Sequence, residues 1–138
     1  MKTIATRIPA VAVLGLLCTL PALAHHATGA VYDASKSFSV TGVVEKIEWI
    51  NPHIYIYLNV TDQKGQVTRW ALECLPPGMM ARAGVKRDAV LVGQKLVASG
   101  FRAKDAGVTR VWPLKLTFDD GRVLQLMDEN EAHDKFGG

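Results

Sequence analysis

From Ile54 to Thr61, aliphatic Ile54, Ile56, Leu58 and Val60 alternate without exception with Tyr55, Tyr57, Asn59 and Thr61. A strand turns successive side chains to opposite faces, whereas a helix repeats every ~3.6 residues, so this stretch fits only a strand with one apolar face. Asp62-Gln63-Lys64-Gly65 supplies a turn, and Val67 to Cys74 follows with Trp70, Leu72 and Cys74 on one side. Two alternating runs joined by such a turn make an antiparallel hairpin.

The strand before this hairpin, Phe38 to Ile50, changes parity. Val40, Gly42 and Val44 share one face, while Ile47 and Trp49 carry the opposite parity. A bulge between Val44 and Ile47 returns them to one side, and Gly42 allows a bend. Pro76-Pro77-Gly78 ends the third strand, and Met79 to Ala83 is expected to form a helical turn or two stopped by Gly84. Lys95 to Phe101 and Thr109 to Phe118 read as further strands, the latter with Trp112, Leu114, Leu116 and Phe118 on one face. Asp119-Asp120-Gly121 is a hairpin loop before a short closing strand, Arg122 to Met127. Three strands, a short helix and two or three more strands give the order of an OB-fold-like Greek-key barrel, an all-β architecture. The expected boundaries are a signal peptide at 1–24, an N-terminal extension at 25–37, the barrel at 38–127 and a mobile polar tail at 128–138.

The leader reading rests on Lys2 and Arg7, the apolar run Ile8 to Leu20, and the small-x-small site Ala22-Leu23-Ala24. The run is too short to span ~30 Å of hydrocarbon. A lipid anchor at Cys18 is disfavoured because Leu17 stands where a small residue is wanted. Cleavage after Ala24 implies a periplasmic or secreted protein with no membrane span. Of 16 basic side chains the leader removes two, which leaves 14 against 13 acidic ones. A charge that close to zero gives no long-range field for nucleic acid, so no nucleic-acid partner is expected. Cys74 remains as a lone thiol, which excludes an internal disulfide and favours burial.

Several strings stand out together: His25-His26, Glu48-Trp49-Ile50-Asn51-Pro52-His53, the Trp70-containing third strand, Gly84 to Asp88, Gly100-Phe101-Arg102-Ala103-Lys104-Asp105 and Asp120-Gly121-Arg122. With them the chain resembles a family of small secreted bacterial proteins whose function is not characterised. The resemblance implies a single exported domain. It supplies no catalytic role for any residue.

The chain has four histidines, His25, His26, His53 and His133. If cleavage follows Ala24, His25 becomes the first residue, and its α-amine and imidazole can chelate one ion. Imidazole suits copper, zinc and nickel, and copper(II) binds most tightly of these. His26 offers a further donor, and His53, in the tight Asn51-Pro52-His53 connection, is the one candidate placed by local structure. Copper held by His25, His26 and His53 is therefore the sharpest functional reading, against the plainer one that His25-His26 is a polar start and His53 a loop residue. No CxxC, HxxxH or HExxH spacing supports a metal directly. His133, beside Glu131 and Asp134, is expected to be solvated.

Asn51, Tyr55 and Tyr57 form a second candidate surface, for a small ligand or a periplasmic protein. The competing reading has both tyrosines packing across neighbouring strands. Trp49, Trp70 and Trp112 fall in apolar alternation and read as core. No nucleophile, base and orienting group are spaced as a catalytic set, so no catalytic residue is assigned.

Overall fold

The computed structural model describes residues 27–136. The elements in chain order are α1 (Ala27–Val31), β1 (Phe38–Glu48), β2 (Tyr55–Thr61), β3 (Val67–Glu73), α2 (Pro77–Arg82), β4 (Lys95–Arg102), β5 (Arg110–Phe118), β6 (Val123–Gln125) and α3 (Glu129–Phe136). His25 and His26 lie outside the described residues, as does the expected leader. Among the described residues no helix is long and apolar enough to cross a membrane.

The strands hydrogen-bond in the order β3-β2-β1-β4-β5-β6. A short parallel pairing of β3 with β5, Ala71 opposite Arg110 and Leu72 opposite Val111, closes the first five into a barrel. Closure removes most of the unpaired strand edge. The topology is that of the expected small OB-like barrel, with β6 added outside β5.

β1 serves both halves of the barrel. It pairs with β4 through Phe38 to Val43 and with β2 through Val43 to Glu48. The register slips between Val44 and Lys46, so the parity change in the sequence is a bulge. Gly42 has a further reason to be glycine: a Cβ there would lie 2.8 Å from the Asn59 carbonyl oxygen. Gly100 is more tightly constrained, since its Cβ would come within 2.0 Å of the Trp112 carbonyl oxygen, beside a second register slip.

Inside the barrel, Val40, Val44, Ile56, Leu58, Leu72, Leu96, Ala98, Val111, Leu114 and Leu116 are buried. α2 starts with Pro77 in its first turn and stops before Gly84, whose φ is +77°. Met80 and Val85 plug the adjoining barrel end.

Two sequence-based boundaries need correction. The segment 128–138 was expected to be a mobile polar tail, but Glu129–Phe136 is a helix with Ala132 and Phe136 buried. The segment 25–37 is more than an extension, because Tyr32 is 1% exposed. Tyr32 and α3 pack over the outside of the barrel, where Tyr32, Phe101, Trp112 and Phe136 form an aromatic part of the core. Their ring centroids lie 5.0–6.1 Å apart, in edge-on contacts. Gly29 brings the α1 backbone against Phe136. Hydrogen bonds finish the docking: Lys104 Nζ donates to the Gly29 carbonyl at 2.8 Å, and Tyr32 makes a β-bridge with Ala103.

Candidate functional site

The outer aromatic core ends in a polar cluster. Glu73, the last residue of β3, is 9% exposed and is the buried charged side chain among the described residues. Leu72 points into the barrel, so period-two geometry turns Glu73 outward, beside its cross-strand partner Tyr55. Burying a carboxylate costs several kcal/mol (roughly) unless partners compensate. Glu73 has three. Tyr32 donates its hydroxyl to Oε2 at 2.5 Å. His53 Nδ1 donates to Oε1 at 2.5 Å. Arg110 Nη1 lies 3.5 Å from Oε2.

His53 sits in the β1–β2 connection, which turns through a cis Asn51–Pro52 peptide. The next residue, Ile54, is buried and anchors the loop through backbone hydrogen bonds with Cys74 and Leu75. The imidazole stands edge-on to Trp112, with centroids 5.3 Å apart, and its side chain keeps a fifth of its surface exposed. In the neutral tautomer that suits this contact, the proton is on Nδ1 and the lone pair on Nε2. A carboxylate at Nδ1 orients the ring and leaves Nε2 facing away from it, which suits a metal ligand.

Tyr55 and Tyr57 continue the same outer face. Their rings stack at 6.2 Å, and the Arg69 guanidinium lies 4.4 Å from the Tyr57 centroid. Tyr57 donates to Glu48 Oε2 at 2.9 Å. Lys46 also holds Glu48 and, with Tyr57, keeps its carboxyl below the usual carboxylate range. Burial, followed by Glu73, raises the Tyr55 phenol. Burial chiefly, and then Glu73, raises the Tyr32 phenol much further, so Tyr32 remains a donor. Both outer tyrosines pack across strands and are half-buried.

The structure therefore brings His53, Tyr55 and Tyr57 onto one face. Asn51 is exposed at its rim. His133 is exposed on α3, its ring 6.2 Å from Phe101 and apart from the Glu73 cluster. Trp112 is wholly buried, while Trp49 and Trp70 are partly buried against the core. Cys74 is fully buried, and burial raises its thiol. Sequence reasoning missed Glu73, Tyr32 and Arg110. One signal was present: Glu73 occupies the position that a seven-residue hairpin register sets opposite Tyr55.

Among the described residues, no three His, Cys, Asp or Glu side chains are grouped to hold a metal ion. His53 is a single imidazole donor with a carboxylate behind it. No curated protein matches the chain in sequence. A family model does match, over residues 14–111, which takes in β1 to β4, the β1–β2 loop and Glu73. The chain belongs to that family, described as a family of unknown function (DUF6152).

Proposed function

We propose that this chain is an exported, periplasmic binding module that holds a copper-type transition metal ion through the His53 imidazole and the chain-head residues His25 and His26. The observation that carries this reading is the 2.5 Å contact between Glu73 Oε1 and His53 Nδ1. A half-buried imidazole whose Nδ1 is bound by a buried carboxylate presents Nε2 as a fixed donor. One imidazole does not make a copper site, and the other donors must come from residues outside 27–136. His26 immediately precedes α1, and α1 leads directly into Tyr32, which bonds the same carboxylate as His53. The five residues of α1 rise only ~7.5 Å, so the start of α1 is a short distance along the backbone from Tyr32. The leader composition supplies the compartment and, after cleavage behind Ala24, the free α-amine.

Titration of copper(II) into protein purified from periplasm, its first residue verified by mass, tests this. One ion should bind per chain. His53→Ala, or one residue added before His25, should each weaken binding at least about tenfold. Equal affinity after the added residue overturns the chelate.

A metal-free interaction module is the second reading, favoured by the stacked Tyr55–Tyr57 pair with Arg69 against it. Aromatic and arginine side chains together are common anchors of protein interfaces. Capture of a periplasmic partner should then persist with a chelator and in His25→Ala, and fail in Tyr57→Ala.

A further inference from the structure

We infer that the junction of β4 with the α1–β1 connection is a binding site for a small free oxyanion of the phosphate class, independent of the His53 face. The observation is a concavity of about 310 Å³ lined by Lys36, Arg102 and Lys104, with Asp33, Ser37 and Phe38. Asp33 is not available to neutralise all three cations. Its Oδ1 accepts from the Ser35 backbone N–H at 3.1 Å and from the Ser35 hydroxyl at 2.5 Å, and its Oδ2 faces Lys36 at 3.9 Å. Among the described residues neither Arg102 nor Lys104 forms an ion pair. Three cations thus border one cavity against a single carboxylate, Asp33, whose charge acts on Lys36 and Lys104.

Arg102 is also held in place before any ligand arrives. Its guanidinium carbon lies 5.5 Å from the Phe38 centroid and 5.3 Å from that of Trp70, rings that stack on each other at 5.4 Å. Its Nη2 donates to the Ala106 carbonyl at 3.1 Å. Nε is shielded and unbonded, so Nη1 is the arm left for a ligand. Lys104 gives one N–H to the Gly29 carbonyl and keeps two more. A planar guanidinium fixed by stacking and a backbone carbonyl loses little freedom on meeting an oxyanion, which is the usual advantage of arginine at such sites. The volume, at the low end of the ~300–1,000 Å³ of ligand clefts, leaves room for a phosphate ion or a small phosphate ester.

The probe is inorganic phosphate, titrated into the intact protein while backbone amide shifts are followed by NMR. Saturable shifts should concentrate at residues 33–38 and 102–106, and they should weaken as sodium chloride is raised. Lys104→Gln, an exposed substitution, should lower the affinity about five- to tenfold. Arg102→Gln should lower it at least as much, with folding checked by the undisturbed spectrum elsewhere. Lys64→Gln, in the β2–β3 turn, should leave it unchanged. An equal loss in Lys64→Gln means that net charge alone attracts phosphate, and overturns the site. So does the absence of saturable shifts, or binding seen only to anionic lipid vesicles. The His53→Ala protein should bind phosphate normally, which separates this result from the fate of the copper reading.

Discussion

Leu72 and Glu73 are adjacent on β3, point to opposite faces, and are both buried. A strand of a small barrel ordinarily has one dry face and one wet one. Here the outer face of β3 is covered at its end by Tyr32 and His53, and the covered position carries a carboxylate. The fold therefore keeps a charged group in a place that an apolar residue could fill. It compensates that group with Tyr32, His53 and Arg110.

The first prediction follows from that compensation. Glu73→Ala leaves the Tyr32 hydroxyl and the His53 Nδ1 donor without an acceptor, and it removes the partner of Arg110. Each orphaned buried donor costs about 1–3 kcal/mol, so the loss should reach about 2–4 kcal/mol. Glu73→Gln keeps the shape and one acceptor oxygen, and it should cost about half as much. Urea unfolding measures both. A neutral Glu73→Ala result would mean that water replaces all three contacts.

Tyr32 makes the stability of this cluster depend on pH. Burial chiefly, then the Glu73 carboxylate, holds its phenol above the ordinary 10.0. A proton bound more tightly in the folded than in the unfolded chain stabilises the fold in full below the unfolded value. That stability drains away as pH climbs past it. The urea midpoint should therefore fall between about pH 9 and about pH 11, and fall less steeply in Tyr32→Phe. Tyr55 and Tyr57 are also raised, so the variant removes only the Tyr32 share. Parallel pH profiles for the two proteins would show that Tyr32 ionises as freely in the fold as outside it.

What the sequence made legible was the barrel, and what it hid was the covering. The β2–β3 hairpin and the bulge between Val44 and Lys46 follow from period-two alternation and its one slip, and both concern residues close in the chain. His53 could be placed because Pro52 and the flanking strands constrain it locally. Glu73 could not be recognised, because its burial depends on Tyr32, 41 residues upstream. α1 is too short to show a helical period. α3 looks like a tail because its eight residues are mostly polar, yet Ala132 and Phe136 sit four apart and are both buried. That spacing was its one visible signal.

If α3 is a structural element, Phe136 anchors it. Its ring meets Tyr32, Phe101 and Trp112 edge-on. Phe136→Ala should cost about 3–4 kcal/mol, in the range of large-to-small changes in a core. It should also speed amide exchange at Tyr32 and Asp33 across the domain, because α1 loses its neighbour. Unchanged stability would restore the mobile-tail reading.

Gly100→Ala tests the second close approach in the barrel. The new methyl would sit 2.0 Å from the Trp112 carbonyl oxygen and 2.9 Å from the Pro113 Cα, both backbone atoms that cannot swing away. β4 must then separate from β5 at its register slip, with Trp112 and Phe101 disturbed alongside. Overpacking of this kind costs about 3 kcal/mol or more. Thermal unfolding should show a clear drop in Tm, and a wild-type Tm would mean that the two strands lie further apart than described.

Cys74 provides an independent clock for opening of the fold. Its sulfur is buried between Leu72 and Leu75, 3.8 Å from the Leu72 carbonyl oxygen, and burial, with Glu73 adding to it, pushes the thiol above its usual range. The thiolate is the reactive form, and a thiol that is neither exposed nor ionised reacts only when the chain opens. At about pH 8, a disulfide reagent should label the folded protein at the rate of β3 opening and the urea-unfolded protein at once. Glu73→Ala should accelerate labelling in proportion to its loss of stability wherever reclosing outpaces the reagent, because the two residues share a strand end. Labelling of the native protein as fast as a free thiol would contradict the burial of Cys74 and the packing of β3 together.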